Sequence, residues 1–159
     1  MKNYSIEIKW AIRFTLLTLA WAIGEKMIGL HDKYIADYFM YSMLFAVPAF
    51  LFFYLAVNEK KKYGYTNEMT WKQGFVAGMV ISSVIALLNP LSQIVIYKAI
   101  TPHFFENLIV YKTKNTSMNL KTAQEIFNVK SYIIQGIFTT LSFGIITGAI
   151  VSLFIKNKK

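Results

Sequence analysis

The chain has no cysteine, three prolines, two histidines and eight acidic residues among its 159 positions. The missing cysteine excludes disulfides, thiolate nucleophiles and cysteine-ligated metals, so neither a redox compartment nor a zinc site can be argued from it. Scarce histidine leaves little to hold an ion. His103 and Glu106 stand three apart, and His31 crowds Asp32 and Asp37, but neither group has an H-E-x-x-H run or a third helical ligand, so no metal and no other cofactor is expected. No glycine-rich phosphate loop, G-x-S-x-G elbow or paired-carboxylate spacing places a nucleophile or general acid, and the chain does not read as an enzyme. Charge is missing most where it matters most. Residues 39–57, 74–97 and 131–155 contain no Asp, Glu, Lys or Arg and run to 19, 24 and 25 residues.

Each of these runs can cross a bilayer, because about 20 helical residues at about 1.5 Å each span a hydrocarbon layer of roughly 30 Å, where only a helix satisfies every backbone group. A mean hydropathy of +0.42 with 55% hydrophobic residues is too apolar for a soluble domain of this length. A fourth crossing is less plain, since only 14–24 is uncharged near the start. A span over 10–30 works if Lys9 and Arg13 snorkel to one interface and Glu25 and Lys26 to the other. No small-x-small cleavage site follows the apolar run, which argues against a cleaved signal. The sequence therefore predicts one integral membrane domain over 1–159, an all-α four-helix bundle with spans at approximately 10–30, 38–57, 73–97 and 131–155. A short amphipathic helix is expected in the outer loop between spans three and four.

Seventeen Lys and Arg against eight Asp and Glu give a net charge of +9. Beside apolar spans that excess sets topology and meets anionic headgroups, rather than nucleic acid. Lys60, Lys61 and Lys62 with the tail Lys156, Lys158 and Lys159 place both termini on the cytoplasmic side of the cell membrane. Thr70 with Gln73 has the form of a capping box opening span three, with Trp71 in the interfacial belt. Thr101 before Pro102, and Thr122 with Glu125, predict two helix starts in the outer loop. Phe104, Phe105, Leu108, Ile109 and Tyr111 give the first of these an apolar side suited to the membrane surface.

Small residues recur every fourth position on span three (Gly74, Gly78, Ser82, Ala86) and on span four (Thr140, Gly144, Gly148, Ser152). Such rows let backbones approach closely, and Gly74, Gly78, Gly144 and Gly148 are the candidate packing residues. Contact between these two spans of one chain is the simpler reading; a dimer face is the alternative. Pro48 predicts a mild kink in span two. Polar residues inside the slab cost several kcal/mol unless partnered. Glu25, Gln93, Gln135 and Tyr41 with Ser42 all fall within roughly 6 to 8 Å of the outer boundary, and Asn89 lies one turn below Gln93 on the same face. Glu25, Tyr41, Asn89, Gln93 and Gln135 are thus a candidate polar layer, either a buried hydrogen-bond lock or the floor of an outward-open cavity. In the competing reading Glu25 and Lys26 snorkel to the headgroups and the amides pair locally.

The segment Met69-Thr70-Trp71-Lys72-Gln73-Gly74-Phe75 with Ala77-Gly78, the segment Tyr97-Lys98-Ala99-Ile100-Thr101-Pro102-His103-Phe104, and Gly148 through Ser152-Leu153 before a lysine-rich end resemble the family called domain of unknown function 4199, small four-span bacterial membrane proteins. The similarity covers most of the chain, from the Glu25 to Leu30 region to the tail. It implies a cell-membrane location and a four-helix plan, and no activity. The functional expectation is a small non-enzymatic accessory or scaffold acting through lateral helix contacts and its outer amphipathic loop. Its partners would be membrane lipids and a second copy or another membrane protein. The alternatives are a small transporter or channel subunit with Glu25, Asn89, Gln93 and Gln135 along its pathway, and an intramembrane lipid enzyme using Glu25 as acid or base.

Overall fold

The computed structural model describes residues 4–157, which places Lys158 and Lys159 of the basic tail outside the described residues. All regular structure among the described residues is helical: α1 (Ser5–Ile28), α2 (Tyr38–Gly64), α3 (Trp71–Ile100), α4 (Phe104–Asn115), α5 (Leu120–Ile126) and α6 (Val129–Ile155). Three of these, α2, α3 and α6, are long and apolar enough to cross a membrane. The expected fourth, α1, has the length, at 24 residues, but falls short in composition because Glu7, Lys9, Arg13, Glu25 and Lys26 lie within it.

The four long helices nonetheless pack along one another. α3 and α6 form the most extensive pair, α1 lies against α3 and α2, and α2 against α6. At one end α1 is tied to α2 by the buried pair Glu7 and Lys60, 2.8 Å apart, and by Lys9 with Glu59, which also accepts from Trp10 Nε1 at 2.9 Å. At the other end Ser42 of α2 donates to Glu25 of α1. α1 and α2 are therefore antiparallel over their length. Both described chain ends share the first end, because Asn157 accepts from Met69 N–H at 3.0 Å and Lys61 donates to the Ile155 carbonyl at 2.8 Å. We call this the terminal end and its opposite the distal end.

The small-residue rows meet within the chain. A Cβ on Gly78 would sit 2.7 Å from Gly148 Cα; Gly74 faces Ser152 and Gly144 faces Ser82. Many large apolar side chains are turned outward, with Leu87 79%, Phe39 74% and Phe154 74% exposed. Small residues at the helix contact and large ones on the outer surface is the arrangement of helices solvated by lipid, where close packing joins them.

Helix ends follow local chemistry. Thr70 and Gln73 form the capping box in both directions, at 3.3 and 2.9 Å, and Asn128 caps α6 by accepting from Ser131 N–H. Two expected starts move. Asn119, not Thr122, caps α5, because its side chain accepts from Thr122 N–H at 2.8 Å. Thr101 does not cap α4; it closes α3, whose final turns over Val95–Ile100 are π-helical, by donating its N–H and hydroxyl to the Ile96 carbonyl. α4 starts at Phe104. Nor does α4 present its whole apolar side to the membrane surface: Phe104 and Leu108 are buried against Ala22, Ile96 and Tyr97, so it covers the distal end. α2 accommodates Pro48 with a 3₁₀ turn over Met43–Phe45.

Candidate binding cavity around Glu25

α1 ends in a Schellman turn. Gly29, at φ 90°, donates to the Lys26 carbonyl and Leu30 to that of Glu25, each at 3.0 Å. The reversal folds His31 back over the end of its own helix. There His31 is buried at 4% exposure, its Nε2 3.2 Å from Glu25 Oε2, its ring against Tyr38 and Phe104, and its carbonyl accepting from Asn107 of α4 at 3.0 Å.

Glu25 is the centre of the arrangement. Its Oε1 accepts from Trp21 Nε1 one turn earlier on α1 at 2.8 Å and from Ser42 of α2 at 2.5 Å. Glu25 therefore does not snorkel, whereas Lys26 beside it is exposed. A buried carboxylate is tolerated only with such partners. Around it lies a cavity of about 160 Å³ lined from α1 by Thr18 and Trp21, from α2 by Tyr38 and Ser42, and from α3 by Gln93 and Tyr97. Phe104 packs against both Tyr38 and Tyr97, at ring-centroid distances of 4.8 and 5.2 Å, and so backs one wall. A second hollow of about 350 Å³, walled by Leu17, Ala20, Ile28, Leu30 and Leu44, lies between α1 and α2 and shares Trp21 and Glu25 with the cavity. A larger hollow of about 440 Å³ between α4 and α5 is lined by loop residues such as Ser117 and Met118 and holds no buried polar group, so it is not the candidate site.

Of the five residues of the candidate polar layer, Glu25 and Gln93 line the cavity. Asn89 is buried one turn deeper with its side chain against Gly136 of α6, and does not line it. Tyr41 is 51% exposed and borders the apolar hollow instead; its neighbour Ser42 takes the inward position. Gln135 is exposed on α6, because the adjacent Gly136 occupies the face toward α3. Equal depth brought neither Tyr41 nor Gln135 into the layer, since depth leaves rotation about the helix axis open. Trp21 stands one helical turn before Glu25 and so on its face of α1, but Tyr38 and His31 were not expected in the layer. For His31 the available signal was Gly29, a residue that ends helices by reversing the chain. Three buried acceptor-capable atoms have no hydrogen-bond partner among the described residues: His31 Nδ1, Gln93 Oε1 and Asn89 Oδ1.

The profile of the family described as Protein of unknown function (DUF4199) matches residues 9–157. The chain belongs to this family. Neither the curated proteins nor the solved structures contain a match to it.

Proposed function

We propose that the protein is a four-span, non-enzymatic accessory protein of the cytoplasmic membrane, with both termini in the cytoplasm, that receives an amphiphile in its outer half. The observation that carries this reading is the Glu25 cavity, polar inside and continuous in its lining with an apolar hollow between α1 and α2. Four crossings are supported by the course of α1, which meets α2 at both ends and at about 1.5 Å per residue extends roughly 36 Å. Lys60, Lys61, Lys62 and Lys72 all belong to the terminal end, which favours that end inside. A non-enzymatic role is favoured because the one carboxylate of the cavity is already engaged by Trp21, Ser42 and His31. Lateral contact with a second copy or another membrane protein would use the outward apolar surfaces, since the glycine rows are occupied within the chain.

The absence of cysteine makes the topology directly testable. In intact cells a membrane-impermeant maleimide should label Asp32→Cys and Asn115→Cys, and should reach Ser5→Cys, Gly64→Cys and Asn157→Cys only after lysis. Labelling of Ser5→Cys in intact cells would remove α1 from the spans and with it the four-span reading. The same cavity favours a second reading, a transporter subunit. Solute flux through liposomes containing the pure protein, lost in Glu25→Gln, would establish that one.

A further inference from the structure

We propose that the Glu25 cavity and the hollow beside it bind a phospholipid whose headgroup carries a primary ammonium. This rests on the reading of the chain as an amphiphile receptor and names the amphiphile.

The charge comes first. Glu25 is the one acidic residue lining the cavity. A carboxylate offers about four lone-pair sites, and Trp21, Ser42 and His31 occupy three of them, which leaves room for a further donor. The unpartnered atoms come second. When His31 donates Nε2–H to Glu25, its Nδ1 is a bare acceptor, and both His31 Nδ1 and Gln93 Oε1 are buried without a partner among the described residues. Buried polar atoms are normally paired, and two acceptors beside a carboxylate call for a group with several N–H donors and no acceptor. An alkylammonium has that character. A quaternary ammonium carries the charge without the donors. Third, Trp21, Tyr38, Phe45 and Tyr97 line the same space, and aromatic faces attract cations.

Size and shape place the remainder of the ligand. At about 30 Å³ for each water-sized group, a cavity of about 160 Å³ admits about five such groups, enough for an aminoethyl head and too few for a lipid. The hollow of about 350 Å³ that shares Trp21 and Glu25 is walled by leucine and isoleucine, as an acyl chain requires.

The purified full chain in mild detergent is titrated with dioctanoyl phosphatidylethanolamine, phosphatidylcholine and phosphatidylglycerol, and with ethanolamine as the head alone, and bound species are counted by native mass spectrometry. The ethanolamine lipid should bind about tenfold or more tighter than the other two, the ratio that one charge-assisted set of hydrogen bonds supplies. Glu25→Gln should bring it down to the phosphatidylglycerol level. Ala20→Phe, which fills the hollow, should weaken the lipid about tenfold and leave ethanolamine unchanged. Equal affinity for the three lipids in the wild-type chain overturns the ammonium assignment without the need for any variant. If Ala20→Phe still blocks them all, the amphiphile reading survives that result. Ethanolamine binding as tightly as its lipid overturns the lipid as ligand. Binding of none of the four overturns both readings.

Discussion

Gly78 and Gly148 mark the closest approach of α3 and α6, and replacing Gly78 with alanine puts a number on it. The added Cβ would lie 2.7 Å from Gly148 Cα and 3.5 Å from its carbonyl carbon. Both obstacles are backbone, so no rotamer change relieves them. Carbon atoms settle at about 3.5 to 4.0 Å, so the helices must part by about 1 Å at this point. Overpacking of this kind costs about 1–3 kcal/mol, while alanine in place of glycine returns up to about 1 kcal/mol of helix propensity. The net expectation for Gly78→Ala is a loss of about 1–2 kcal/mol. Gly24→Ala is the internal control. A Cβ there meets nothing within 4 Å, so only the propensity gain of about 0.5–1 kcal/mol remains. Parting α3 from α6 also loosens Gly74 on Ser152 and Gly144 on Ser82. Gly78→Ala with Gly148→Ala should therefore cost less than the sum of the two, because the second methyl enters a contact already opened. Unfolding in mixed micelles by titration with sodium dodecyl sulfate measures all four chains. If Gly78→Ala stabilises the protein as Gly24→Ala does, the row is not a contact within the chain.

The same assay reads the two buried carboxylates. Glu25→Ala strips Trp21, Ser42 and His31 of their shared acceptor and should cost about 2–4 kcal/mol, whereas Glu25→Gln keeps the shape and should cost about half as much. Glu7→Ala removes the carboxylate beside buried Lys60 and should cost about 3–5 kcal/mol, and the double change Glu7→Met with Lys60→Met should recover most of that loss. A double variant as unstable as Glu7→Ala would refute the account of that pair. Thr70→Ala opens the capping box of α3 and should cost about 1 kcal/mol, detected as a lower midpoint with an unchanged slope.

Span positions were legible because lipid imposes a length and an absence of charge that few other environments demand, and the helices α2, α3 and α6 lie where the uncharged runs lie. The packing rows were legible for a similar reason: glycine at every fourth position has few uses in a membrane other than close approach. The polar site was legible only in depth. Glu25 and Gln93 could be ranked by distance from the boundary, but Tyr41 and Ser42 differ by about 100° around the helix, and counting residues cannot choose between them. Long-range pairs were not legible at all. Glu7 with Lys60 and Lys9 with Glu59 join positions some fifty residues apart, and their charge marked α1 as the weakest span when it is also what ties α1 to α2.

The two ends of the molecule solve opposite electrostatic problems. At the terminal end each buried or half-buried carboxylate faces a lysine, Glu7 with Lys60 and Glu59 with Lys9, so neither carboxylate is left over for a cationic ligand. At the distal end one carboxylate faces neutral donors and a histidine, and acceptors outnumber donors. Between the two, polarity stops. Asn89 is the last amide below the cavity, and Ser92 and Ser82 beyond and beneath it turn their hydroxyls to carbonyls of their own helix, Asn89 and Gly78, at 2.9 and 2.8 Å. Phe53, Ile81, Ile85 and Val151 then fill the interior down to Val57. A conduit through the slab would have to part these residues and the Gly78 to Gly148 contact, where no side chain can swing aside because the obstacle is backbone on both helices. A pocket that fills and empties from the distal end or sideways through α1 and α2 requires none of this. The geometry of the packed half therefore favours a receptor over a channel.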